Sequence, residues 1–118
     1  MAVKRLAVIG TGLIGASVAL AAKRTGAASE VAGYDLDPAA LEAAAGRGAL
    51  DEQAESLDDA VAGAELVVVA APVAQLAAQV QAVLAASPEE ATVTDVGSTK
   101  SGVCAAARGS ARFVGGHP

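Results

Sequence analysis

Short apolar runs alternate with helical periodicities along the whole chain. Leu6-Ala7-Val8-Ile9 comes first, followed by a helix-like stretch from Leu13 to Thr25. A second run, Val31-Ala32-Gly33-Tyr34, is ended by Asp35. Asp37-Pro38 offers an N-cap acid and a proline at the first helical position, which predicts a helix to about Ala45, stopped by Gly46 or Gly48. Ser56-Leu57-Asp58-Asp59 has capping-box spacing and opens a short helix. Glu65-Leu66-Val67-Val68-Val69-Ala70 is a continuous run, the pattern of a parallel strand covered on both faces. Val73, Leu76, Val80, Val83 and Leu84 then recur at helical spacing until Ser87-Pro88. Ala91 to Val96 reads as a strand, about Thr99 to Arg108 as a helix with Gly109 as its C-cap, and Arg112-Phe113-Val114 as a last short strand.

Repeated strand–helix units imply an α/β fold, a doubly wound and mostly parallel sheet with right-handed crossovers, filling the chain as one domain. In such sheets ligands bind beyond the carboxyl ends of the strands. Four loops fall there: Gly10 to Gly15, Ala70-Ala71-Pro72, Val96 to Lys100, and Gly115 to Pro118.

The first of these loops carries the chemistry. Gly10-Thr11-Gly12-Leu13-Ile14-Gly15 has the spacing G-x-G-x-x-G between a strand and a helix, and Asp35 closes the next strand. These are the parts of a Rossmann-type dinucleotide-binding βαβ unit. Gly10 permits the tight turn, Gly12 lets backbone N–H groups approach a pyrophosphate, and Gly15 lets helix and strand pack closely. The pyrophosphate is expected at the helix N-terminus, where Thr11, Leu13 and Ile14 complete the loop. Ala71 and Pro72 are expected to line the cofactor from the neighbouring strand end. Asp37 is the better helix cap, which frees Asp35 for the adenosine ribose hydroxyls. Leu36, Asp37 and Pro38 come directly after Asp35, with no arginine among them, so a 2′-phosphate has no partner there and NAD is expected over NADP.

Composition narrows the rest. The chain is 53% hydrophobic but has one Tyr, one Phe and no Trp, so its core must be built from Val, Leu, Ile and Ala. A dispersed formal charge of −5 argues against a nucleic-acid partner. It also means that an anionic dinucleotide must be held by backbone N–H groups. A lone Cys104 excludes an internal disulfide, and one His beside it argues against a zinc site. Lys4-Arg5 before an apolar stretch has the outline of a signal peptide, but the glycines interrupt that stretch and Lys23-Arg24 closes it. The segment reads as the first βα unit, with no membrane span, and the location as cytoplasmic.

Four segments together resemble the prephenate dehydrogenase family, which includes arogenate and cyclohexadienyl dehydrogenases. They are Val8 to Ser17 around the glycines, Gly33-Tyr34-Asp35, Asp95-Val96-Gly97-Ser98-Thr99-Lys100, and Phe113-Val114-Gly115-Gly116-His117-Pro118. The D-x-G-S-x-K and G-G-H-P segments are far more specific than the glycines. The resemblance implies NAD-dependent oxidative decarboxylation of prephenate or arogenate in tyrosine biosynthesis. It implies His117 as the catalytic base and Ser98 as a group that binds the substrate hydroxyl or orients His117. Lys100 is equally a carboxylate contact or a solvated lysine, and Asp95 is expected to orient the Gly97-Ser98 loop. In the family an all-helical domain follows G-G-H-P, forms most of the homodimer interface and completes the substrate pocket. Residues 1–118 are therefore expected to be the nucleotide-binding domain alone, inactive as a fragment. Two alternatives share part of the pattern: another NAD(P)-dependent dehydrogenase or reductase, of the β-hydroxyacid or pyrroline-carboxylate type, and a non-catalytic NAD-sensing module. The first would lack G-G-H-P, and the second has no need of Ser98 or His117.

Overall fold

A computed structural model describes residues 3–96 and 113–115. Ten elements follow in the order β1 (Val3–Ile9), α1 (Leu13–Thr25), β2 (Ala28–Tyr34), α2 (Pro38–Gly46), β3 (Glu52–Gln53), α3 (Leu57–Val61), β4 (Leu66–Val69), α4 (Val73–Ala86), β5 (Thr92–Asp95) and β6 (Phe113–Gly115). The strands form one sheet in the order β3-β2-β1-β4-β5-β6. Every neighbouring pair is parallel. The chain builds outward from β1 in one direction, then returns to β1's other side with β4, so the switch point lies between β1 and β4. The helix expected at Thr99 to Arg108, Gly109 and Cys104 lie outside the described residues.

Register aligns the strand ends. Ile9 lies level with Tyr34 and Val69, Val69 with Asp95, and Asp95 with Gly115. Gly10, Asp35, Ala70 and Val96, the next residues in each chain segment, therefore emerge along one edge.

Both faces of the central strands are covered, which explains the unbroken apolar runs. Side chains alternate across a strand. Ala7 and Ile9 join Val67, Val69, Val93, and the Leu76, Val80 and Val83 stripe of α4. Leu6 and Val8 join Val31 and Val68 under Ala19 of α1. Alanines at these contacts, with Ala7, Ala19, Ala32 and Ala60 all fully buried, let the helices lie close on the sheet.

The caps are those the sequence indicated. The Asp37 carboxylate accepts from Ala39 N at 3.0 Å and Pro38 occupies the first turn of α2. Ser56 Oγ accepts from Asp59 N at 3.1 Å at the start of α3. Strand β3 was not legible, because two polar residues on a sheet edge carry no apolar pattern. Backbone bonds and Asp51 hold it in place. Asp51 N donates to Val31 O at 2.8 Å, and Asp51 Oδ2 accepts from Val31 N at 2.8 Å. Asp51 Oδ1 accepts from Lys23 Nζ at 2.8 Å. At the opposite edge from the glycine loop, the Arg5 guanidinium donates to Glu30, Glu52 and the carbonyls of Asp59 and Ala60.

The Lys23 ammonium, and next the Val31 N–H, hold the Asp51 carboxyl below its ordinary pKa. A group whose folded pKa is depressed stabilises the fold above its unfolded pKa, and that contribution is lost as pH falls through the folded value. Asp51→Asn is therefore expected to melt below wild type at pH 7, with the gap closing as pH drops below about 4. The pair is partly exposed, so the gap is small, about 1 kcal/mol or less. Thermal melts of both proteins at neutral and acid pH measure it, and a gap independent of pH would mean that the carboxylate's charge contributes nothing.

Candidate functional site

The glycine loop is shaped by close backbone approach. Gly10 has φ +96°, and a Cβ there would stand 2.7 Å from Ala70 C and Ala71 N at the end of β4. Its N–H donates to Tyr34 O at 2.8 Å, tying the loop to β2 as well. A Cβ on Gly15 would fall on the Gly10 carbonyl oxygen and 3.3 Å from Val8 Cγ1. Gly12 differs: nothing lies within 4 Å of its Cβ direction. It is the N-cap of α1, with no side-chain cap and no acid in the first turn. The free N–H groups of that turn and the positive end of the helix dipole are thus left for an anion.

An open cavity of about 600 Å³ runs along this edge. Gly10 and Gly12 form its floor, Asp35 and Leu36 one side, and Ala71 and Pro72 the other. Leu13 and Ile14, at 77% and 56% exposed, stand at its mouth. Val96, Ala40 and Gln75 also line it. Val96 opens one of the four loops expected at this edge, whereas Ala40 and Gln75 carried no sequence signal, because they enter the site only through the helix positions around them.

Asp35 is engaged within the protein. Its Oδ2 accepts from Thr11 N at 2.7 Å and from Thr11 Oγ1 at 3.2 Å, while Oδ1 accepts from Asp37 N at 2.8 Å. Asp37 does serve as the helix cap, yet Asp35 is not thereby left without partners. It fixes the glycine loop to the end of β2, and Thr11 is buried (3% exposed) as a result. A carboxylate has about four lone-pair positions, so acceptor capacity remains on the cavity side.

Asp95 is completely buried at the end of β5. Ser98, Lys100 and His117 lie outside the described residues. Ser98 follows Asp95 by three positions, and His117 follows Gly115 of β6 by two. Among the described residues, no group of three His, Cys, Asp or Glu could hold a metal ion, and no helix is long and apolar enough to cross a membrane.

A doubly wound parallel sheet with a glycine loop, an uncapped helix N-terminus and an acid at the end of β2 around one cleft defines a nucleotide-binding domain of the Rossmann class. The model of the family described as prephenate dehydrogenase, nucleotide-binding domain, matches residues 18–118. The chain belongs to the prephenate dehydrogenase family. The matched residues begin beyond the glycine loop and include Asp35, Ala71, Pro72 and Asp95 of the site. Prephenate dehydrogenase of Bacillus subtilis (strain 168) is 37% identical over 114 residues, covering 92% of this chain and 31% of that protein. The crystal structure of the A. aeolicus prephenate dehydrogenase in complex with hydroxyphenyl propionate and NAD+ superposes with a TM-score of 0.81 at 27% identity, over 100% of this chain and 42% of that one. Synechocystis arogenate dehydrogenase gives 0.80 at 27% identity, over 97% of this chain and 40% of that one. This chain thus spans about a third of the curated relative's length.

Proposed function

We propose that this chain is the cofactor-binding part of an NAD-dependent dehydrogenase that oxidatively decarboxylates prephenate to 4-hydroxyphenylpyruvate, or arogenate to tyrosine. The observation that carries the proposal is the cleft itself, open at Gly12 over an uncapped helix N-terminus, in a chain of the prephenate dehydrogenase family. The residues fit a dinucleotide. The N–H groups at the start of α1 take the pyrophosphate, and Gly10, Gly12 and Gly15 set the backbone that presents them, with Thr11, Leu13 and Ile14 in the same loop. Asp35 accepts from an adenosine ribose hydroxyl with the one lone-pair position that Thr11 and Asp37 leave. Ala71 and Pro72 form the wall opposite.

When bound, NAD supplies the acceptor for the hydride that leaves C4 of the substrate. His117 takes the proton of the C4 hydroxyl, because imidazole can accept a proton near neutral pH. Ser98 holds that hydroxyl or orients His117. The ketone so formed is conjugated to the carbon bearing the carboxylate, and loss of CO2 leaves an aromatic ring. In this reading the protein is cytoplasmic. A helical domain of the kind the family resemblance implies completes the substrate pocket and makes the homodimer.

Asp35 sets the choice of cofactor. A 2′-phosphate would meet its charge and that of Asp37, with no arginine in Leu36-Asp37-Pro38 directly after it. Calorimetric titration is expected to show NAD binding at least about tenfold more tightly than NADP, the discrimination of one lost charge-assisted hydrogen bond. Asp35→Asn retains an acceptor for the Thr11 N–H and removes the charge. It should narrow the preference by about 1–3 kcal/mol. Equal affinities in wild type would sink the ribose role of Asp35.

A further inference from the structure

Past Leu36 the cleft opens into a second groove of about 410 Å³, between the end of β2 and helices α3 and α4. Leu36 and Gln75 line both, so the two adjoin. Tyr34, Leu36 and Leu57 wall the groove on one side. Ala74, Ala78 and Ala82 of α4 give it a flat opposite wall, since none carries more than a methyl group. Gln75 and Gln79 interrupt the alanine wall of α4, and the second of them is unsatisfied. Gln79 lines the groove, and its Oε1 is sealed from solvent with no hydrogen-bond partner among the described residues. A buried amide oxygen without a donor is costly, about 1–3 kcal/mol, and such atoms are uncommon in folded proteins. Gln79 lies one turn beyond Gln75 on the same face of α4.

We propose that Gln79 reads the base of the dinucleotide, accepting from the 6-amino group of adenine. This rests on the dinucleotide reading of the cleft. A ribose held at Asp35 carries its base one glycosidic bond away, and the apolar groove beside Leu36, the next residue in the chain, is contiguous with that position. The groove is shaped for a flat ring between aliphatic walls. The terminal torsion of glutamine is soft, so the amide turns toward the ring without disturbing α4. Oε1 then accepts from the 6-amino group while Nε2 donates to N7, the paired contact that glutamine makes with adenine elsewhere; in hypoxanthine both of those positions are acceptors, and one amide cannot pair with them. Binding thereby satisfies the atom that the free protein leaves unpaired.

The test compares NAD with nicotinamide hypoxanthine dinucleotide, which carries an oxo group in place of the amino group. The wild-type chain is expected to bind NAD about tenfold more tightly than the hypoxanthine analogue, the discrimination typical of one paired amide–base contact. Gln79→Leu should bind both alike, losing about tenfold for NAD. It should melt no lower than wild type, because it removes an unpaired buried oxygen. Gln79→Glu retains an acceptor and should retain the preference for the amino base. A purely structural glutamine would shift both ligands together. Equal binding of the two dinucleotides by wild type, or a preference that survives in Gln79→Leu, overturns the role of Gln79 and leaves the cofactor reading intact. A chain that binds neither dinucleotide overturns both.

Discussion

Gly15→Ala is expected to abolish measurable dinucleotide binding and to cost the fold about 3 kcal/mol, the upper end for an added methyl in a packed interior. The new methyl falls on the Gly10 carbonyl oxygen, and that carbonyl has nowhere to go. Gly10 N–H is bonded to Tyr34 O at 2.8 Å, and the backbone of Ala70 and Ala71 stands behind the loop. Relief must come from α1, which would lift off β1, opening the contact of Ala19 with Leu6 and Val8 and turning the first-turn N–H groups away from the cleft. Gly12→Ala provides the contrast. Its methyl meets nothing within 4 Å, so stability should change by about 1 kcal/mol or less, the cost of a weaker N-cap. Binding should still fail, because the methyl occupies the space a pyrophosphate needs. Chemical denaturation and NAD titration of the two variants separate fold from site. A Gly15→Ala protein as stable as wild type would show that helix and loop are not in the contact described.

What could be read from the sequence was what each segment decides locally. Val67, Val68 and Val69 announced a strand buried on both faces, and both faces are buried. Asp37-Pro38 and Ser56 announced helix starts because capping is a matter of two or three adjacent residues. The glycine spacing fixed where a cleft must lie, because the turn, the helix and the strand are consecutive. What stayed hidden depends on residues far apart in the chain. Asp37 caps its helix, yet Asp35 still has a partner in Thr11, 24 residues away, which only the pairing of β1 with β2 brings to it. Strand β3 follows from Asp51 bonding to Val31, 20 residues distant, rather than from any apolar pattern in Glu52-Gln53. The second groove requires β2, α3 and α4 at once, so nothing near Gln79 in the sequence marks that residue. The chain's membership of its family was legible for another reason. D-x-G-S-x-K and G-G-H-P are short segments whose residue types the proposed chemistry demands.

His117→Asn is expected to lower kcat by about 10²–10⁴-fold, the usual loss when a positioned general base is removed, with NAD affinity nearly unchanged. The measurement is made on a form of the protein that turns over the proposed substrate, prephenate or arogenate. His117 is the only histidine of the chain, and it follows Gly115, which pairs with Asp95 on the edge where the cleft opens. Its proposed bond to the C4 hydroxyl strengthens as the proton moves. The loss therefore belongs in kcat, since an interaction stronger in the transition state than in the bound substrate lowers kcat when removed. Asparagine can still form a hydrogen bond but cannot accept a proton at neutral pH, so geometry is retained while base strength is lost. Wild-type kcat should fall as pH drops and the imidazole takes up a proton, because a protonated ring has no lone pair to offer. In His117→Asn that acid limb should vanish. Ser98→Ala should cost less, because a hydroxyl orients the reacting group without taking its proton. A His117→Asn enzyme with near wild-type kcat and the acid limb intact would assign the proton to another group. In that case G-G-H-P would identify the family without supplying its base.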